Sequence, residues 1–202
     1  MSHDHGDRHG HAFDPENWER LESAERRTRM DPKKLAAAMR LSRADTVLDI
    51  GVGTGFFAVE VAPLCGRLIG VDHSSKMLEI FRAKESFARL SNVELLVGKA
   101  EKLPVEEASV DVVFHVNLFH EVADMAAFHR EIRRVLKPGG RLFLADWRAE
   151  ATAGGPPLDH RIPEDKAADI LRRDGFADIT PLPIYDDHYV FSAVAGSAPA
   201  AE

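Results

Sequence analysis

The segment VLDIGVGTGFF, residues 47–57, places one acid and three glycines where an apolar run ends: Asp49, then Gly51, Gly53 and Gly55. Glycines let the main chain turn sharply and bring its N–H groups against a ligand. A helix that follows such a turn presents a positive end, which favours an anionic group. The next apolar run, RLIGVD, ends in Asp72. In a doubly wound fold that acid stands beside the glycine loop at the carboxyl edge of the sheet, where it accepts hydrogen bonds from a ribose diol. Strand, loop, helix, strand and terminal acid together read as a nucleoside site. The spacing is GxGxG rather than the GxGxxG of dinucleotide sites. Asp49 would repel a pyrophosphate but would hold a cationic amino group. The chemistry that fits is binding of a nucleoside that carries an amino acid.

The elements that must position these residues follow from the hydrophobic pattern. Apolar runs at 46–50, 67–71, 93–97, 110–116 and 141–145 have strand length. Helix-length segments near 54–62, 74–90 and 124–136 separate them, and the alternation predicts a mostly parallel sheet. KPGG at 137–140 reads as a turn between a helix and a strand. A further helix is expected over 164–174. Strand-like runs near 178–184 and 188–194 lie close enough to pair, so the last strand is expected to be antiparallel. The expected fold class is α/β, Rossmann-like and doubly wound, with a mostly parallel seven-stranded sheet. Ahead of it, 15–29 and 31–41 read as helices, with Pro15 and Pro32 in first-turn positions. The chain thus divides into a His-rich tail expected to be disordered (1–12), N-terminal helices that cap a substrate (13–45) and the main domain (46–196).

Composition narrows the function classes. The chain has 202 residues, 45% hydrophobic and 29% charged, enough for one domain with a packed core. No apolar stretch approaches the length of a membrane span, and the start lacks the apolar core of a secretory signal. The single cysteine, Cys65, allows no internal disulfide and suits a reducing compartment, so a cytoplasmic location is expected. A net charge of −7 without a dense basic run argues against a nucleic-acid partner, and no membrane partner is expected. The pattern leaves the oligomeric state open. His3, His5, His9 and His11 could bind a metal ion or form a solvated tail; no metal site is assigned.

Five segments in order carry a family resemblance: VLDIGVGTGFF, GVDHS, VGKAEKLPVEEASVDVVF, NLFHEV and EIRRVLKPGGRLFLADW. Over residues 46–147 the chain resembles the class I S-adenosylmethionine-dependent methyltransferases, particularly the small group that includes the quinone-biosynthesis C-methyltransferases. The resemblance implies S-adenosyl-L-methionine as cofactor and methyl transfer to a small-molecule substrate as activity. It implies that Asp49 and the main chain at Gly51 and Gly53 hold the methionine part. By the same resemblance Asp72 binds the ribose, with His73 and Met77 lining the nucleoside. Ala100 and Glu101 would border the adenine, and Asn117 would face the sulfonium. Lys99 departs from the pattern, since family members often carry an acid there and a lysine accepts no hydrogen bond.

Methyl transfer needs a base only when the acceptor carries a proton that must leave. Two residues are catalytic candidates, His120 in NLFHEV and Asp146 in ADW. His120 suits proton transfer near neutrality, or alternatively orders its loop. Asp146 orients a substrate, or alternatively binds loop amides. Phe13, Trp18, Leu21, Trp147 and Arg161 are the expected sources of acceptor selection. Arg161 would meet an anionic substrate or form a surface ion pair. Two other functions stay open: a cofactor-binding sensor without turnover, and an NAD-dependent oxidoreductase, which the glycine spacing and Asp49 disfavour.

Overall fold

The computed structural model describes residues 15–152 and 154–196. The histidines of the tail and Phe13 lie outside the described residues.

A 3-10 segment, Pro15–Glu22, opens the described chain, followed by α1 (Ala24–Arg29) and α2 (Pro32–Ala38). The single helix expected over 15–29 is broken because Ser23 begins a new one, its hydroxyl accepting the Arg26 amide. Asp31 does the same for α2, with Pro32 in the first turn. Then come β1 (Thr46–Ile50), the short α3 (Ala58–Val61), β2 (Arg67–Asp72), α4 (Ser75–Ala83), α5 (Glu85–Ala88) and β3 (Val93–Val97). The helix expected from residue 54 starts only at Ala58, because Gly53 and Gly55 hold φ of 54° and 80°. The helix expected over 74–90 is interrupted at Lys84, which is extended (ψ 141°) and sends its ammonium to Glu22 and the Thr54 carbonyl.

The chain continues through β4 (Val110–Val116), α6 (Met125–Val135), β5 (Leu136–Trp147), α7 (Glu164–Arg173), β6 (Phe176–Pro181) and β7 (His188–Ala195). KPGG is not the separate turn the sequence suggested. It lies inside β5, with Gly139 at φ 75° and a register shift between Val110 and Val112 where β5 meets β4. The distortion allows β5 to begin pairing immediately after α6.

The seven strands form one sheet in the order β3-β2-β1-β4-β5-β7-β6. β7 runs antiparallel to both neighbours, and the other pairings are parallel. Alternation along the strands feeds two cores. Val47, Leu68, Phe114 and Phe143 pack against Met30, Leu35 and Met39 on one face. Leu48, Ile69, Val113 and Leu142 pack against Phe128, Ile132 and Leu171 on the other. The strand order reverses between β1 and β4. A crevice opens there beyond their carboxyl ends, the expected ligand position in such sheets. Among the described residues no helix is long and apolar enough to cross a membrane, and no group of three metal-ligating side chains converges.

Candidate functional site

β1 delivers Asp49 to the crevice and then the glycine loop. Gly51, Gly53 and Gly55 all have positive φ, which a side chain would make costly. At Gly55 a Cβ would also stand 2.2 Å from the Phe81 ring, so α4 packs on the loop only because that atom is missing. The loop is pinned from β2. Gly51 and Val52 donate their amides to the Val71 carbonyl at 2.8 and 3.1 Å. Asp72 accepts the Gly53 amide on one carboxylate oxygen (2.8 Å) and the Ser74 amide on the other (2.9 Å). Each oxygen keeps a second lone pair for a ligand hydroxyl. One carboxylate therefore holds the Gly53 amide and the start of α4 and still presents free acceptor positions to the cavity.

Asp49 is 4% exposed, and no hydrogen bond or ion pair reaches it among the described residues. Burial, and secondarily the charge of Asp72, push its carboxyl well above the ordinary carboxylate range. A cation placed beside it would offset part of that burial cost and favour the ionised carboxylate.

The opposite end of the crevice starts where β4 stops. Asn117 takes a left-handed conformation (φ 55°), and its buried Oδ1 has no partner. Two residues on, the 3-10 turn Phe119–Glu121 carries His120. Its Nδ1 lies 2.7 Å from Asp146 Oδ1, and its backbone amide donates to Asp146 Oδ2 at 3.2 Å. Because a carboxylate only accepts, Nδ1 carries the proton and Nε2 is left basic. Burial alone would lower the His120 pKa, but the Asp146 bond and charge, with Glu121, outweigh it and raise it above the ordinary value. Asp146 is 1% exposed and also accepts the Trp147 amide, so it fixes the imidazole and does not face ligand itself. Of the two readings of Asp146 weighed above, the binding of loop amides is what the structure shows, and the carboxylate takes the His120 imidazole as a further partner.

Trp147 follows as a wall. Arg29 and Arg161 place guanidinium carbons 5.0 and 5.1 Å from its ring centre. Gly155 fits over it, where a Cβ would be 2.8 Å away. Arg161 donates to four carbonyls, of Pro156, Arg148, Glu150 and Gly154, at 2.8–3.1 Å. It braces its own loop, buried and bonded to carbonyls, in place of the surface ion pair weighed from the sequence.

The N-terminal segment closes the crevice. Glu22 receives the Thr54 hydroxyl and the Lys84 ammonium, Leu21 lies over Gly53, and Arg29 pairs with Asp187 at 3.0 Å. Tyr185 donates its hydroxyl to the Asp31 carbonyl at 2.8 Å. The enclosed space is a cavity of about 810 Å³.

Asp49, Gly51, Gly53, Asp72, His73, Met77, Asn117 and His120 all line it, with Leu21 and Trp147. Ala100, Glu101 and Trp18 are not among its lining residues, and Ala100 packs against the second core instead. Lys99 bridges to Lys102 in a turn beyond β3. Sequence reasoning missed Glu22 and Arg26, whose types and spacing carry no motif, and gave no role to Thr54, which lies inside the glycine segment. The residues present fit S-adenosylmethionine: an unpartnered buried acid, an unpartnered amide oxygen, a main-chain cradle and a diol acceptor in one cavity.

Residues 48–144 match the family model described as a methyltransferase domain. The chain is 37% identical over 118 residues to a demethylmenaquinone methyltransferase of Listeria monocytogenes, covering 56% of this chain and 49% of that protein. It is 33% identical over 123 residues to an uncharacterised methyltransferase of Bacillus subtilis, covering 61% of this chain and 44% of that one. The chain thus spans about half the length of the curated relatives it matches. A crystal structure of an S-adenosylmethionine-dependent methyltransferase from Aquifex aeolicus superposes with a TM-score of 0.85 at 28% identity, covering 91% of this chain and 100% of that one.

Proposed function

We propose, from the premise that this chain carries a class I S-adenosylmethionine-dependent methyltransferase domain, that it methylates a small molecule bearing a weakly acidic proton. One observation carries the reading: the cavity that holds the glycine loop and Asp72 also holds a histidine oriented by a buried aspartate. When bound, the cofactor supplies an electrophilic methyl group on a cationic sulfur. Asp49 holds the ammonium of its methionine part, Asp72 the ribose hydroxyls, and the Gly51–Gly53 main chain the segment between. His120 Nε2 would take the acceptor's proton, the methyl group leaving the sulfur for the acceptor so that S-adenosylhomocysteine remains. Its Nδ1–H remains donated to Asp146, which stabilises the imidazolium that forms. Residues 46–196 make the catalytic domain. The 13–45 segment caps the acceptor, and its closure with Trp147 and the 154–157 loop excludes water.

The test is release of S-adenosylhomocysteine from the full chain given S-adenosylmethionine and a panel of phenols, hydroquinones, carbon acids and amines. Turnover with a protic acceptor, lost in His120→Ala, is the expected result. Cofactor binding with no turnover on any member would leave a sensor and overturn the reading.

A further inference from the structure

The 3-10 turn Phe119–Glu121 brings two neighbouring side chains to the cavity, His120 and Glu121. Their polar ends stand close together, with His120 Nε2 lying 3.8 Å from Glu121 Oε1. Both side chains are largely buried, 9% and 19% exposed. Leu118, Trp147, Pro156 and Pro157 supply apolar wall in the same cavity. The two cations set against Trp147 have partners of their own. Arg29 pairs with Asp187 and Glu25, and Arg161 donates to four carbonyls.

His120 gives its Nδ1 proton to Asp146, so Nε2 is an acceptor. Glu121 is an acceptor too, since a carboxylate only accepts, and its charge helps hold the imidazole pKa above the ordinary value. This end of the cavity therefore offers a ligand two acceptors side by side. A molecule with one donor fills Nε2 and covers the carboxylate without bonding it, where little water reaches. A site built to bond a ligand hydroxyl rejects the analogue that lacks it for this reason. A molecule that brings an anion beside its reacting atom meets a charge of the same sign. Two donors on adjacent atoms satisfy both acceptors.

We propose that Glu121 selects the acceptor, a small molecule with two neighbouring O–H or N–H donors, the reacting one on His120 Nε2 and the second on Glu121. An anionic group next to the reacting atom is refused. The inference rests on the function proposed above, which assigns the base and asks of the acceptor only one weakly acidic proton. It makes Glu121 a binding residue that turns the acceptor so that the reacting atom meets His120.

Calorimetry on the full chain saturated with S-adenosylhomocysteine tests it with three single-ring probes: catechol, phenol and salicylate. Catechol should bind at least about tenfold tighter than phenol, the worth of one hydrogen bond to a charged group, and salicylate should bind weakest. Glu121→Ala should bring catechol to within about twofold of phenol and leave S-adenosylhomocysteine affinity as it was. Glu121→Gln, whose amide also donates, should raise salicylate affinity at least about fivefold, a gain that a damaged fold does not produce. Equal wild-type binding of catechol and phenol, a Glu121→Ala loss shared equally by both, or no gain of salicylate in Glu121→Gln would overturn the assignment. Should Glu121→Ala fail to fold, the wild-type comparison and Glu121→Gln decide. A wild-type complex that takes up none of the probes also overturns it, while turnover on another member of the acceptor panel keeps the methyl-transfer reading. A chain that does not bind S-adenosylhomocysteine overturns that reading itself.

Discussion

At the glycine-loop end of the cavity the wall is main chain, held from below by one neighbouring strand. Gly51, Val52 and Gly53 hang their amides on Val71 and Asp72, and two buried acids, Asp49 and Asp72, face the space. At the His120 end the wall is side chains brought from four separate stretches: the cap, the turn after β4, the end of β5 and the 154–157 loop. The first end has little freedom to vary, because backbone geometry depends on the absence of side chains. The second can change its chemistry by substitution while the fold stands. A cofactor common to many reactions suits the first construction, and an acceptor that differs among relatives suits the second.

That contrast predicts a crossed pattern of effects. His120→Ala should lower turnover by about two to three orders of magnitude, the usual scale of a lost general base, and leave the cofactor dissociation constant unchanged. Turnover should rise with pH through an inflection above 6.5, since the imidazole must be neutral to accept a proton and its pKa is raised. Asp146→Asn should move the inflection down. The same shift gives a stability consequence. Protonated His120 stabilises the fold below the ordinary histidine pKa, and that stability disappears as pH rises through the raised value, readable in melting temperature. A cofactor affinity that collapses in His120→Ala would erase the distinction between the two ends.

Gly53→Val should do the opposite. Its Cβ has open space, with the nearest atoms 3.9 Å away on Leu21 and Gly51. The cost is the positive φ, and the added atoms fill the ligand's place against the loop. Affinity for S-adenosylhomocysteine should fall about a hundredfold while circular dichroism is retained.

Asp72→Ala should weaken cofactor binding about tenfold and also lower the melting temperature, because it orphans the Gly53 and Ser74 amides as well as the ribose. Melting and titration on the same protein check both effects. Affinity lost with stability intact would separate the two roles that the geometry joins. The smallest effect is expected at the latch. Glu22→Ala, which releases Thr54 and Lys84, should raise the cofactor dissociation constant about threefold, under ~1 kcal/mol, since the pair is partly exposed.

The same contrast explains what the sequence made legible. Every strand of the sheet could be located from apolar runs, and the glycine loop and Asp72 from spacing, because strand ends and positive φ leave a local trace. His120 and Asp146 stood out by residue type, yet their pairing joins positions 26 apart and needed the parallel register of β4 and β5. Helix ends were misjudged where tertiary contacts overruled propensity, as at Lys84, drawn out to reach Glu22. Arg26 and Arg27 stand side by side in ERRTR and both lie over the Phe56 ring; only the fold shows that Arg27 pairs with Glu60 while Arg26 lines the cavity.

The cap is fastened by the far end of the described chain: Tyr185 holds Asp31, Asp187 holds Arg29, and His188 packs on Trp147 with ring centres 4.1 Å apart. On the ribosome, residues 29–31 must therefore wait for the β6–β7 hairpin before they can settle. The proposed nucleoside cradle, from Asp49 to Met77, closes over neighbours translated within a few dozen residues of it. The roof of the cavity depends on contacts between residues as far as 154 positions apart, the kind whose loop closure slows folding. A ribosome halted before the β6–β7 hairpin leaves a chain with the cradle residues but without the partners that seat the roof.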